Sequence, residues 1–301
     1  MSENIYDLDI YELLDKAYES EDADEIEELI ERALALDPNN PEALLFKSDL
    51  IEEDGERLPV LEKAVEEARR HFQEEGLSGE EILEDEMVLV YLGLLQRMAY
   101  TLFFLERDDS ALELVEELLR YDHEDLSQAK TLYYRILLDQ EEWGRVLEET
   151  MQETVRGLGW AYARVIATFM LSNGKGKNKK KQPDGLNKML WDAVRMAPNV
   201  PFYMLGYIPD PVDESEDEDY HFAVLFENAW LPSHDLINWF SKATILFGLL
   251  TNRFGRENDD MREILDALGG TADYEALASQ AANSSDERIL ETLALGNYPT
   301  A

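Results

Sequence analysis

The residues able to do chemistry are few, and their spacing does not suit it. The chain has 4 His and no Cys, which removes disulfides, thiol nucleophiles and Cys-ligated metals. His71, His123, His221 and His234 fall in no H-E-x-x-H, H-x-x-E-H or closely paired frame, so no zinc hydrolase or deaminase pattern is present. His123 reads as a solvated turn residue, and His221 and His234 flank Trp230. The acidic run DESEDED at 213–219 lacks the order of a calcium loop, which needs Gly at its sixth position and Glu at its twelfth. Gly174-Lys175-Gly176-Lys177 lacks the G-x-x-x-x-G-K-[ST] frame and a preceding strand, so it is not a phosphate loop. Its lysines reverse the local field only within about 8 Å at physiological salt. They suit contact with an anionic partner or with the chain's own acidic surface. Carboxylates are so abundant that no acid–base pair stands out, and no G-x-S-x-G or G-x-G-x-x-G occurs. The expectation is a non-enzyme with no catalytic, metal or cofactor-binding residues.

Charge narrows the partners. Asp and Glu number 66 against 27 Lys and Arg, a net charge of -39. Such a field repels phosphate backbones and attracts basic partners, so direct nucleic-acid binding is not expected. An acidic surface also keeps helical proteins soluble. Hydrophobic residues make up 45% of 301 positions, enough for one elongated helical domain or two compact ones. No uninterrupted run of about 18 apolar residues exists, and MSENIYDLDIYELLD lacks a signal pattern. These features predict a cytoplasmic protein with no membrane span.

The elements are helices paired by short turns. Residues 8–19 place Ile10, Leu13, Leu14 and Ala17 on one face, and Asp22 or Asp24 can cap a following helix to Leu36. Ile26, Ile30 and Ala33 share a face of that second helix. Asp37, Pro38 and Asn39 stop it, and Pro41 opens the next. Leu44, Leu45, Ser48 and Ile51 follow, with Gly55 expected to break the helix. Leu61, Ala64, Val65 and Ala68 mark its partner. An acidic helix is expected over 79–85 and a long apolar one over 87–105. Leu95, Met98, Ala99 and Leu102 then pair with Ala111, Val115 and Leu118, across a turn at Asp108-Asp109 that Ser110 can cap. Ala129, Leu132, Tyr133 and Ile136 pair with Trp143, Val146 and Leu147.

The stretch IEELIERALALDPNNPEALL, with these spacings, resembles the tetratricopeptide repeat, a helical hairpin of about 34 residues. Leu14 stands where the family often has Gly, and Ile26 where it has Ala. An insertion of about one helix separates the second and third repeats. The resemblance implies an all-α fold: an α-solenoid of tetratricopeptide-like helical hairpins over 1–155, with a C-terminal helical cap. The cap divides into a helical region, 156–255, carrying a Lys-rich loop at 172–185, and short helices with a tail, 256–301.

Beyond residue 155 the pattern changes. Helices are expected over 160–171, 186–197, 220–230, 233–250, 259–268 and 274–282, with an ordered Pro-rich, non-helical or turn segment at 197–211. Trp160, Phe169, Asn199-Val200-Pro201, Leu205-Gly206, Pro209, Tyr220, Ala229-Trp230 and Trp239-Phe240 resemble the C-terminal part of suppressor-of-tumorigenicity-seven-like helical repeat proteins over about 155–245. No activity follows from that resemblance. Phe202, Tyr203 and Tyr207 need area to bury, so 199–209 is expected to pack as a structural clamp on the solenoid end.

The tetratricopeptide resemblance implies a concave face lined by first helices. Carried over, its positions are Leu8, Tyr11, Asp15 and Tyr18; Glu42, Leu45, Asp49 and Glu52; Gln96, Tyr100, Phe103 and Phe104; and Lys130, Tyr134, Leu137 and Leu138. The Lys, Arg and Asn clamp of the chaperone-binding subclass is not matched. Tyr, Asp and Glu suit a peptide or protein segment with basic and apolar side chains. The partner-binding set expected is Tyr11, Asp15, Tyr18, Glu42, Leu45, Asp49, Glu52, Tyr100, Phe103 and Tyr134, in a protein-interaction adaptor or scaffold. Two other readings stand beside it: a hydrolase or transferase with a site near 199–220, and a homo-oligomeric structural protein using the same apolar surface.

Overall fold

The computed structural model describes residues 9–75, 86–122, 125, 127–173, 185–212, 217–253, 259–269, 274–282 and 287–297. Among them every regular element is helical. The chain packs as two compact units, Met1–Tyr133 and Tyr134–Ala301, divided inside helix α7 (Ala129–Asp139).

The first unit contains α1 (Ile10–Glu19), α2 (Ala23–Leu36), α3 (Pro41–Asp49), α4 (Asp54–Glu75), α5 (Glu86–Phe104) and α6 (Asp108–Leu119). Each packs on the next from α1 through α4, then α4 on α5 and α5 on α6; α3 also packs on α5. The starts are written locally. Asp9 and Glu12 form a reciprocal capping box on α1, both bonds 3.0 Å. Asp22 caps α2 and Asn40 caps α3, with Pro41 in its first turn. Leu13, Leu14, Ala17, Leu29, Ile30, Ala33 and Ala43 form one buried cluster, against which Ile10 and Ile26 pack partly buried. Ala111, Val115 and Leu118 are buried on α6.

Two local expectations need correction. Gly55 does not break α3, which ends at Asp49; Gly55 lies in the first turn of α4. The turn is held by Arg57, whose guanidinium donates to the Ser48, Ile51 and Glu52 carbonyls and to Asp54 Oδ1. A side chain nine residues downstream therefore satisfies the carbonyls at the helix end. Ser110 does not cap α6, which begins at Asp108 after an uncapped Arg107. The preceding chain turns too sharply for that: Glu106 adopts φ 59°, with Glu106 N–H on Phe103 O and Arg107 N–H on Leu102 O. This is a Schellman stop with Glu where Gly is usual. Glu141 (φ 56°) repeats it, bonding to Leu138 O and passing Glu142 N–H to Leu137 O. The expected helix at 79–85 lies outside the described residues.

Helix α5 is long and apolar enough to cross a membrane over Met87–Phe104, although Gln96 and Arg97 interrupt its run. The sequence expectation of no span rested on an uninterrupted run and missed this stretch. In the structure α5 packs against α3, α4 and α6 and carries polar links to each of them. Arg69 on α4 donates to Tyr91 Oη at 3.0 Å and to Glu117 on α6 at 2.9 Å, and Tyr91 donates to Glu117 at 2.5 Å. Burial, then the Glu117 bond, pushes the Tyr91 phenol up to about 12. Those links tie α5 to its three neighbours, with 39% of that stretch buried.

The second unit follows α7 with α8 (Trp143–Gln152), α9 (Leu158–Asn173), α10 (Leu186–Met196), α11 (Val200–Met204), α12 (Glu218–Phe226), a 3-10 turn (Glu227–Trp230), α13 (His234–Leu250), α14 (Asp259–Ala267), α15 (Tyr274–Ala282) and α16 (Glu287–Asn297). The segment expected to be non-helical or turn contains α11, because Pro201 fits a first helical turn. Helix α16 went unforeseen within the expected tail. The core is aromatic: Trp230 stacks on Phe240 at 3.8 Å and 7°, and Tyr162 meets both edge-on. Arg135, nearly fully buried, donates Nε to Leu225 O at 2.7 Å and pairs with Asp139.

Ala111 is fully buried on the face of α6 that packs α5. Ala111→Leu is expected to lower stability by about 1–3 kcal/mol through overpacking. Denaturant unfolding reads this directly, and an unchanged midpoint would refute close contact there.

Candidate functional site

The expected partner face gathers on α1, α3 and α5. Tyr11, Asp15 and Tyr18 lie at i, i+4 and i+7 on α1 and are exposed, the tyrosines at 70% and 64%. That exposure is high for large aromatics in so acidic a surface. Three contacts join the first helices side by side. The Tyr18 ring meets Phe46 on α3 edge-on at 4.4 Å. Leu45 Cδ2 lies 3.6 Å from where a Cβ at Gly93 on α5 would stand. Asp49 accepts Arg97 Nε at 2.8 Å and Nη2 at 3.4 Å. Burial first, then the charges of Glu42 and Asp49, raises the Tyr18 phenol above its usual range. A Cβ at Gly93 would meet Leu45 in ordinary van der Waals contact, so this approach of α3 to α5 does not depend on the glycine.

Farther along α5, Tyr100 is partly buried, its phenol pushed up to about 12 by burial, with Asp125 adding to it. Phe103 meets Phe104 edge-on at 5.6 Å, and Phe104 remains 52% exposed. Gln96 donates to Ser127 O at 2.6 Å.

The structure corrects five of the expected positions. Tyr134, Leu137 and Leu138 are buried, so they cannot line an open face; the apolar side of α7 is spent on packing. Glu52 is exposed but follows the end of α3, in the turn held by Arg57, and not on a helix face. Asp49 is not a waiting anion, because Arg97 already occupies it. Leu8 lies outside the described residues. Sequence reasoning missed Phe46, Gly93 and Arg97. Their signal is the i, i+4 relation of Gly93 and Arg97 on α5 and of Leu45 and Asp49 on α3, which sets apolar and charged contacts at matching heights.

The second candidate region, 199–220, is a set of polar groups that satisfy one another. Tyr203 Oη donates to Asp217 Oδ2 at 2.8 Å, while Asp217 Oδ1 accepts Tyr220 N–H at 2.9 Å and caps α12. The capping bond first, then Tyr203, holds Asp217 below the usual carboxylate range. Burial, then Asp217, pushes Asp219 up, while bonds from Asn199 oppose that. Asn199 Oδ1 accepts Arg253 at 2.6 Å, and the guanidinium lies over Phe202 and Phe247. Tyr207 and Ser241 share a 2.5 Å hydrogen bond. Val200, Pro201 and Phe202 are buried. Within its unit this segment clamps α12 and α13 together.

His221 and His234 are exposed, and no group of three His, Asp or Glu among the described residues could hold a metal ion. His71 and His123, the lysines at 175–181 and residues 213–216 lie outside the residues whose side chains are described. No family model matches the chain, and neither a curated protein nor a solved structure does.

Asp217 gives the clamp one pH-dependent contribution, and the raised Asp219 opposes it. The folded pKa of Asp217 lies below its unfolded one, so its contribution is full above the unfolded pKa and is lost as pH falls through the folded one. Asp217→Ala is expected to cost about 1 kcal/mol at neutral pH, the worth of an N-cap. The difference from wild type should shrink as pH falls below the carboxylate range. Paired unfolding curves at neutral and acid pH measure this, and a cost independent of pH contradicts the assignment.

Proposed function

We propose that this chain is a non-enzymatic, cytoplasmic protein-interaction adaptor. In this reading its hairpins form a tetratricopeptide-like α-solenoid. The face made by α1, α3 and α5 takes a protein or peptide segment bearing basic and apolar side chains. The observation that carries the proposal is the lateral joining of successive first helices, Tyr18 to Phe46, Leu45 to Gly93 and Asp49 to Arg97, with Tyr11, Asp15 and Tyr18 exposed beside them. The matching turns at Glu106 and Glu141 support the repeat, since their spacing is close to the period of about 34 residues. The net charge of -39 steers basic segments toward the face and repels acidic ones. Aromatic side chains supply the anchoring area.

The segment at 199–220 is read as structural, because its polar groups are bonded to one another. The test is a peptide array varying Arg, Lys, Glu, Leu and Tyr, probed with wild-type protein and with a Tyr11→Ser, Asp15→Lys, Tyr18→Ser triple variant. Basic–apolar peptides should bind wild type, weaken at least about tenfold in the variant, a loss of ~1.4 kcal/mol, and weaken further as salt rises. Variant and wild type should share the same helical circular dichroism. Binding indifferent to both the triple variant and salt removes the proposal. A symmetric dimer formed through Phe104 would favour the oligomer instead.

A further inference from the structure

We propose that Tyr18, Phe46, Glu42 and Asp49 form a subsite for one guanidinium of the partner segment, with Arg97 as its resident competitor. This rests on the adaptor reading above and adds the chemistry of one contact and the means of its control. Glu42 and Asp49 are two turns apart on α3, on one side of the helix. Tyr18 reaches this side from α1 and is held edge-on by Phe46 at 4.4 Å. Both carboxylates are near enough to act on the Tyr18 phenol. The ring is 64% exposed, leaving area for a cation to stack.

Arg97 shows what Asp49 accepts. Two of its nitrogens reach the two carboxylate oxygens, at 2.8 and 3.4 Å, a fork that suits planar guanidinium better than ammonium. Both partners are about half exposed, at 51% and 44%, so the pair is of the weak, easily exchanged kind. A partner guanidinium between Asp49 and Tyr18 takes over the same fork and adds the ring and Glu42. The subsite therefore prefers Arg over Lys, and Arg97 sets a threshold that weak cations do not pass.

The experiment titrates N-acetyl-arginine amide, with N-acetyl-citrulline amide as its neutral counterpart, into the full chain. The Tyr18 ring and Arg97 Nε–H signals are followed by NMR. The arginine compound should shift both signals, and the citrulline compound neither. Arg97→Gln should tighten arginine binding about two- to fivefold, the range set by exposed ion pairs, and that gain should vanish in an Asp49→Asn background. Lys47→Gln makes the same charge change on the far side of α3 and should give little gain. Equal gains from Arg97→Gln and Lys47→Gln, or a gain that survives Asp49→Asn, would overturn the subsite and leave only a general field effect. If array peptides bind but ignore Arg97 and Asp49, the subsite falls and the adaptor reading stands. If the arginine compound binds at Tyr18 while no peptide binds, the adaptor reading falls and the subsite stands.

Discussion

A two-helix hairpin of this length cannot bury its own apolar stripe, and that constraint governs the first unit. The hairpins solve it by close approach at small residues. Ala17, Ala33, Ala43, Ala64, Ala99 and Ala111 are all essentially buried, and each lies where a larger side chain would hold two helices apart. The Leu and Ile residues around them then interdigitate, as Leu13, Leu14, Leu29 and Ile30 do. Hydrophobic burial holds these crossings together, and short capped turns fix which helices meet.

Close packing on one side of α1 leaves its other side exposed. That side carries Tyr11, Asp15 and Tyr18. On α3 and α5, side chains join one helix to the next. The polar links divide by environment. Arg69, Tyr91 and Glu117 tie three helices together with Tyr91 buried, where leaving any one group unsatisfied is costly. Arg97 and Asp49 meet at the surface, where an ion pair is weak and replaceable. The first is suited to holding shape and the second to exchange.

The second unit adds an aromatic core. Tyr162, Trp191, Phe202, Phe226, Trp230, Trp239 and Phe240 are buried there beside small residues such as Ala163, Ala167 and Ala193. The polar groups around Asn199 and Asp217 are spent on caps and clamps. A carboxylate that caps a helix and accepts a phenol hydroxyl has little basicity left, as the depressed Asp217 shows.

The sequence by itself determined most of the helices and the pairing of α1 with α2, α3 with α4 and α5 with α6. Apolar residues at i, i+3 and i+4, caps at Asp22 and stops at Asp37-Pro38 are local signals, and helix formation obeys local rules. The buried identities of Leu13, Ile30, Ala33, Ala111 and Val115 followed from the same periodicity. The stripe of Tyr11, Asp15 and Tyr18 on α1 came instead from the repeat resemblance, and it is exposed. Tertiary structure alone decided the rest, because those outcomes depend on partners far along the chain. Gly55 looked like a helix breaker until Arg57 was seen to hold the turn. Tyr134 matched a surface position by repeat register, yet α7 buries it. Asp49 looked like an open anion, but the packing of α3 on α5 brings it Arg97, 48 residues away. Periodicity names the face a residue occupies; only the packed chain settles which neighbour has already claimed it.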